Sequence, residues 1–103
     1  MSIWFVSRHP GAVSWAKNKN IKVDHWVAHF SAEDIVAGDT VIGILPVNLA
    51  AAVCACGARY LNLSLDLPYT LRGKELNEAG LIKAGAKLEE FMIIARGNSN
   101  DKV

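Results

Sequence analysis

The chain has almost no surplus of charge: eleven lysines and arginines face ten acidic residues, a formal net charge of +1. That excludes the broad basic face with which a protein grips duplex DNA, although two or three well-placed donors can still hold a small anion. The start offers no long hydrophobic run. The opening segment, Ile3 to Val6, is too short for an export signal or a membrane span, so a cytoplasmic protein with no membrane attachment is expected. Cysteine is scarce. Cys54 and Cys56 are two apart, which sends them to different faces of a helix and suits neither a disulfide nor a zinc site. They read as small reduced core residues. No aspartate cluster and no set of His and Cys ligands suggests a metal, and no cofactor is expected.

What is present is an ordinary core: 51% of the 103 residues are apolar and 20% charged, which fits one globular domain. A domain of this size buries only about 60–65% of its unfolded surface, so a second copy covering an apolar face would help, and a homodimer is expected. Ile3–Val6 reads as a strand that ends at the polar break Ser7-Arg8-His9-Pro10-Gly11. Ala12 to Lys19 follows as a helix with Ala12, Val13, Trp15 and Ala16 inward, Pro10 being well tolerated in its first turn, and Asn20 as its stop. Asp24–Phe30 is a second strand, and Ser31–Asp34 carries the capping chemistry of one short helical turn. Thr40–Leu45 runs TVIGIL without a charge, as a central parallel strand buried on both faces should. Val47–Cys56 is a helix of small residues closed by Gly57, and Arg59–Leu65 a fourth strand. Pro68–Gly73 is a loop, Lys74–Ala84 a weaker helix stopped by Gly85, and Lys87–Ile94 a last strand.

Strands alternating with helices imply right-handed crossovers. The expected fold is therefore a single small Rossmann-like α/β domain, with a mainly parallel sheet of about five strands and flanking helices. It spans residues 1–95, with 96–103 a frayed tail. Ligands of such sheets bind outside the carboxyl ends of the strands, which directs attention to the loops beginning at Ser7, Pro46 and Asp66.

The first of these loops is the most informative. Arg8 offers a fixed fork of donors suited to phosphate, and His9 exchanges a proton near neutral pH. The helix N-terminus behind them presents free N–H groups to an anion, and Gly11 would let a ligand approach the backbone. The alternative is a solvated turn in which Arg8 pairs with a surface acid. In the second loop Pro46 leads to Asn48, which either caps the helix or turns its amide to a ligand. On strand four Leu61, Leu63 and Leu65 face one way and Tyr60, Asn62, Ser64 and Asp66 the other. That polar row lines a pocket, meets a symmetry mate or sits on a solvated face. Arg72 and Lys74 flank Gly73 in a basic loop able to fold over a phosphate, or simply exposed. His25 and His29 share a strand face with no carboxylate or cysteine to complete a metal set, and read as structural histidines. Glu89 and Glu90 point to opposite faces and cannot act as a carboxylate pair.

The stretches IWFVSRHPGA, GDTVIGILPVNLAAAVCACGARYLNLSLDLP and RGKEL resemble the Csx-sixteen-type CRISPR-associated proteins, small accessory proteins encoded beside type III CRISPR systems. The likeness runs from about Ile3 to Phe91, and the three loops are specific as a set. It implies a Rossmann-like dimer of ring-nuclease type that binds and linearises cyclic oligoadenylate, with cyclic tetra-adenylate as the substrate class. Position 62 is asparagine where the likeness leads one to expect histidine. On this reading Arg8 and His9 are the catalytic candidates, with Ser7, Gly11, Pro46, Asn48, Ser64, Asp66 and Arg72 around the ligand. Three rivals stand beside it. One is a non-catalytic binder that sequesters the messenger. Another is a histidine phosphatase-like phosphoesterase, suggested by Arg8-His9 after the first strand. The third is a structural subunit meeting protein partners through strand four.

Overall fold

The computed structural model describes residues 1–67 and 75–97. Five strands form one sheet: β1 (Ile3–Val6), β2 (His25–Val27), β3 (Thr40–Gly43), β4 (Arg59–Ser64) and β5 (Lys87–Phe91), in the order β2-β1-β3-β4-β5. The first four are parallel, and β5 runs antiparallel to β4. The helices are α1 (Pro10–Asn18), α2 (Val47–Ala55) and α3 (Glu78–Lys83), with a 3-10 turn at Ala32–Asp34. This is the expected Rossmann-like α/β domain with a mainly parallel sheet. Among the described residues no helix is long and apolar enough to cross a membrane.

The alternation of side chains along the strands divides the core in two. Phe5, Ile42 and Leu63 face α1 and α3 and pack with Ala12, Trp15, Ala16 and Leu81. Val41 and Tyr60 face α2 and pack with Ala50, Val53, Ala58 and Ile35. Phe5 is 1% exposed, and burying such a ring contributes about 2–3 kcal/mol. β3 is the central strand foreseen from its uncharged run, with Val41, Ile42 and Gly43 all buried.

Asp39 anchors the start of the sheet. It is the one buried charged residue among those described, and accepts hydrogen bonds from Ser2 N (2.8 Å), Val36 N (3.1 Å) and the Trp4 indole (3.2 Å). These donors, the Ser2 and Val36 N–H groups first, hold its carboxyl below the ordinary value against the opposing cost of burial.

Several elements are shorter than the sequence suggests, and each has a physical cause. β2 stops at Val27, whose carbonyl accepts from Ser7 N in the last rung to β1, because the chain bends at Ala28 and His29. β3 stops at Gly43 because Leu45 N donates to the Tyr60 hydroxyl (3.1 Å) instead of to a neighbouring strand. α3 starts at Glu78 because the Asn77 side chain caps it, accepting from Gly80 N at 2.8 Å. β5 stops at Phe91, and the chain turns over the end of α2, where Ile93 N donates to Cys54 Sγ. Both cysteines are free, but Cys56 is exposed at the end of α2 and is no core residue. The Ser31 side chain makes no cap for the short turn that follows it.

Candidate functional site

In a sheet ordered 2-1-3-4-5, the chain leaves β1 toward one face and β3 toward the other. The divergence opens a crevice at their carboxyl ends. A cavity of about 630 Å³ lies there. Its walls come from the exits of four strands: Ser7, Arg8 and His9 after β1; Ala28, His29 and Phe30 after β2; Ile44, Leu45 and Pro46 after β3; Leu65 and Leu67 after β4. Leucines and Phe5 form much of the rest, and Glu75 and Leu76 close one side. Among the described lining residues, Arg8, His9, His29 and Glu75 carry titratable side chains.

Local bonding sets the first loop. Ser7 N donates to Val27 O at 2.9 Å, extending the β1–β2 ladder by one bond. The Ser7 hydroxyl accepts from His9 N at 3.1 Å and folds the loop back on itself. His9 is the N-cap of α1, with extended backbone (φ −95°, ψ 116°), and Pro10 occupies the first helical position. The His9 carbonyl accepts from Ala12 N (3.1 Å) and Val13 N (3.3 Å), which removes those N–H groups from any anion site. With proline lacking a donor, Gly11 supplies the one free N–H of the first turn among the described residues. The helix-terminus part of the anion cradle is thus thinner than the sequence implies, and the burden falls on Arg8. Arg8 is exposed, as in the solvated-turn alternative, but makes no ion pair among the described residues. The His9 ring is also exposed, with Nδ1 3.5 Å from Glu75 Oε1.

The second loop is held from β4. Tyr60 is buried, and its hydroxyl accepts from Leu45 N and has the Gly43 carbonyl and Asn62 Oδ1 as acceptors. Burial pushes this phenol up, so it stays protonated as a donor. Gly43 sits at the divergence itself, where a Cβ would lie 2.6 Å from the Val6 carbonyl; only glycine lets β1 and β3 approach so closely.

Of the residues singled out by sequence, Ser7, Arg8, His9 and Pro46 converge on the cavity. Gly11 does not: its Cα faces the backbone of Leu76 and Asn77, so its smallness serves the packing of α1 against the segment entering α3. Asn48 neither caps α2, whose N-cap is Pro46, nor faces the cavity; it borders a separate groove with Ala51, Cys54 and Met92. Ser64 accepts from Asn62 Nδ2 (2.9 Å) in a Tyr60–Asn62–Ser64 row on the opposite side of β4 from Leu63 and Leu65. Asp66 is exposed, its N–H donating to Ala84 O. Arg72, like Gly73 and Lys74, lies outside the described residues. Glu90 pairs with Arg59 at 2.8 Å on the sheet edge, a pair too exposed to contribute much stability.

Three cavity residues escape the sequence reading. His29 and Phe30 were assigned to a strand that in fact ends at Val27, and their signal was their place just beyond β2. Glu75 falls inside the RGKEL stretch, but nothing in the sequence ties it to His9 across 66 positions. His25, by contrast, stacks on Trp4 with ring centroids 4.1 Å apart, a structural use as expected. Among the described residues no group of three or more His, Cys, Asp or Glu side chains is placed to hold a metal ion.

The model of a family described as "Putative CRISPR-associated protein (Cas_VVA1548)" matches residues 4–94, which takes in every described helix, every described strand save Ile3 of β1, and the whole described cavity. No curated protein and no solved structure matches the chain.

Proposed function

Because the chain belongs to this family of CRISPR-associated proteins, we propose that it is a ring nuclease that binds and linearises cyclic oligoadenylate, cyclic tetra-adenylate in the first instance. Cleavage would switch off the signal of a type III CRISPR system. The single observation that carries this reading is the convergence of Arg8 and His9 on one open cavity at the β1–β3 divergence.

The chemistry is transphosphoesterification within the ring. A ribose 2′-hydroxyl attacks the adjacent phosphorus, forming the O2′–P bond while the P–O5′ bond breaks. The 2′-hydroxyl gives up a proton and the leaving 5′-oxygen gains one, so the products are a 2′,3′-cyclic phosphate and a 5′-hydroxyl. The nucleophile belongs to the substrate, so the reaction needs no metal-bound water. Arg8 serves the charge that gathers on the phosphate oxygens. His9, with its Nδ1 edge toward Glu75, is the group that moves a proton. The apolar walls from Phe30, Leu45, Leu49 and Leu65 suit purine rings.

A homodimer is part of the proposal, because a two-fold pair would present each group twice to a ligand with rotational symmetry of its own. The exposed Met92 and Ile94, which border a groove along α2, offer apolar surface for a second copy.

The test is incubation of the full chain with cyclic tri-, tetra- and hexa-adenylate in EDTA, followed by chromatographic separation. Linear products ending in 2′,3′-cyclic phosphate are expected. Tight binding with the ring left intact would identify a sequestering protein instead, and no interaction with any ring would overturn the proposal.

A further inference from the structure

In-line attack puts the entering 2′-oxygen and the leaving 5′-oxygen on opposite sides of phosphorus, so one histidine is poorly placed to serve both. The cavity holds a second. His29 is exposed, lines the same cavity as His9, and makes no hydrogen bond among the described residues. It comes from a different strand exit: β1 and β2 are adjacent and parallel with Val6 opposite Val27, and two residues beyond that rung stand Arg8 on one chain and His29 on the other. Both residues belong to the cavity wall, at the exits of two neighbouring strands.

We propose that His29 is the general acid of this site, protonating the leaving 5′-oxygen while His9 accepts the proton of the 2′-hydroxyl. The assignment rests on the ring-nuclease reading and adds a residue to it. The two roles differ because the two surroundings differ. The Glu75 carboxylate near His9 Nδ1 favours a proton on that nitrogen and leaves Nε2 as the acceptor. Among the described lining residues Glu75 is the one carboxylate and its contact is with His9, so His29 has no orienting acid among them. Its protonated form is the donor. The proton removed from O2′ ends on His9 and the one delivered to O5′ comes from His29; exchange with water resets both. Among the described residues the His29 ring joins no aromatic pair, unlike that of His25, which stacks on Trp4.

The experiment uses the full chain and its His29→Ala, His29→Gln and His9→Ala variants. The substrates are cyclic tetra-adenylate and the same ring with sulfur in place of every bridging 5′-oxygen, since a thiolate departs without a proton. The His29 variants should cleave the oxygen ring roughly 10²-fold more slowly than the parent, yet cleave the sulfur ring within a few-fold of it. His9→Ala should be slow on both. The assignment is overturned if the His29 variants match the parent on the oxygen ring, or are equally impaired on both rings. It is also overturned if both variants melt well below the parent, which would mark a structural part. A parent chain that leaves every ring intact brings down the ring-nuclease reading and this inference together. An active parent with unimpaired His29 variants brings down only the assignment of His29.

Discussion

Replacing Gly11 by alanine separates two uses of that glycine. If its smallness admitted a ligand, the variant would fold normally and lose binding. The structure indicates otherwise. An added Cβ would lie 2.2 Å from the Leu76 carbonyl oxygen and 2.9 Å from both Cα and C of Asn77, all of it backbone that cannot rotate aside. Carbon and oxygen in close contact sit about 3.3 Å apart or more, so α1 and the segment entering α3 must separate by roughly 1 Å. Overpacking of this kind costs about 1–3 kcal/mol. Alanine's better helix propensity returns up to about 1 kcal/mol, less at a helix end, which leaves a net loss of about 1–2 kcal/mol. For a domain of this length that lowers Tm by roughly 4–15 °C. Thermal unfolding followed by circular dichroism, with no nucleotide present, measures it. Turnover should fall as well, because Glu75 and Leu76 are wall residues of the cavity and move with the displaced segment. A variant melting at or above the parent temperature would refute the packing reasoning.

Three further outcomes follow from the same structure. The Asp39 carboxyl is held below its ordinary value of 3.8, so its stabilisation is complete above that value and is lost as pH falls through the lower folded-state one. Acid titration of Tm should show a drop in that window, and Asp39→Asn should lower Tm at pH 7 while flattening that drop. Tyr60→Phe strands the Leu45 N–H, and should cost about 1–3 kcal/mol in denaturant unfolding and loosen the cavity rim; an unchanged midpoint would show that water replaces the hydroxyl. His9→Ala should slow cleavage by roughly 10²-fold with little change in ligand affinity, read by single-turnover assay and calorimetry; an unchanged rate would remove His9 from proton transfer.

Legibility in the sequence followed from how local each signal was. The opening strand, the uncharged TVIGIL run and the small-residue helix closed by Gly57 were readable because burial on both faces and helix termination leave marks within a few residues. Strand ends were less readable. β2 ends in a bend just past its last rung to β1, and β5 ends where Cys54 takes the Ile93 N–H. The place of the loop Ser7-Arg8-His9 on the cavity wall was legible because the crevice of an α/β sheet opens at its strand exits. The same rule would have reached His29 had β2 been ended at Val27. Gly11 and Asn48 misled for opposite reasons: one glycine's neighbour lies 65 positions away at Leu76, and one asparagine sits two residues too late to cap. The polar row on β4 proved self-sufficient, since Tyr60, Asn62 and Ser64 bond to one another.

The central claim is that the strand-exit loop of β1 holds an anion through Arg8, which is unpaired among the described residues. Titrating cyclic tetra-adenylate into the parent chain and Arg8→Ala, and measuring cleavage on the same samples, tests that most directly. Affinity and rate should fall together in the variant, with the melting temperature of the free protein unchanged; equal affinity and equal rate would contradict it.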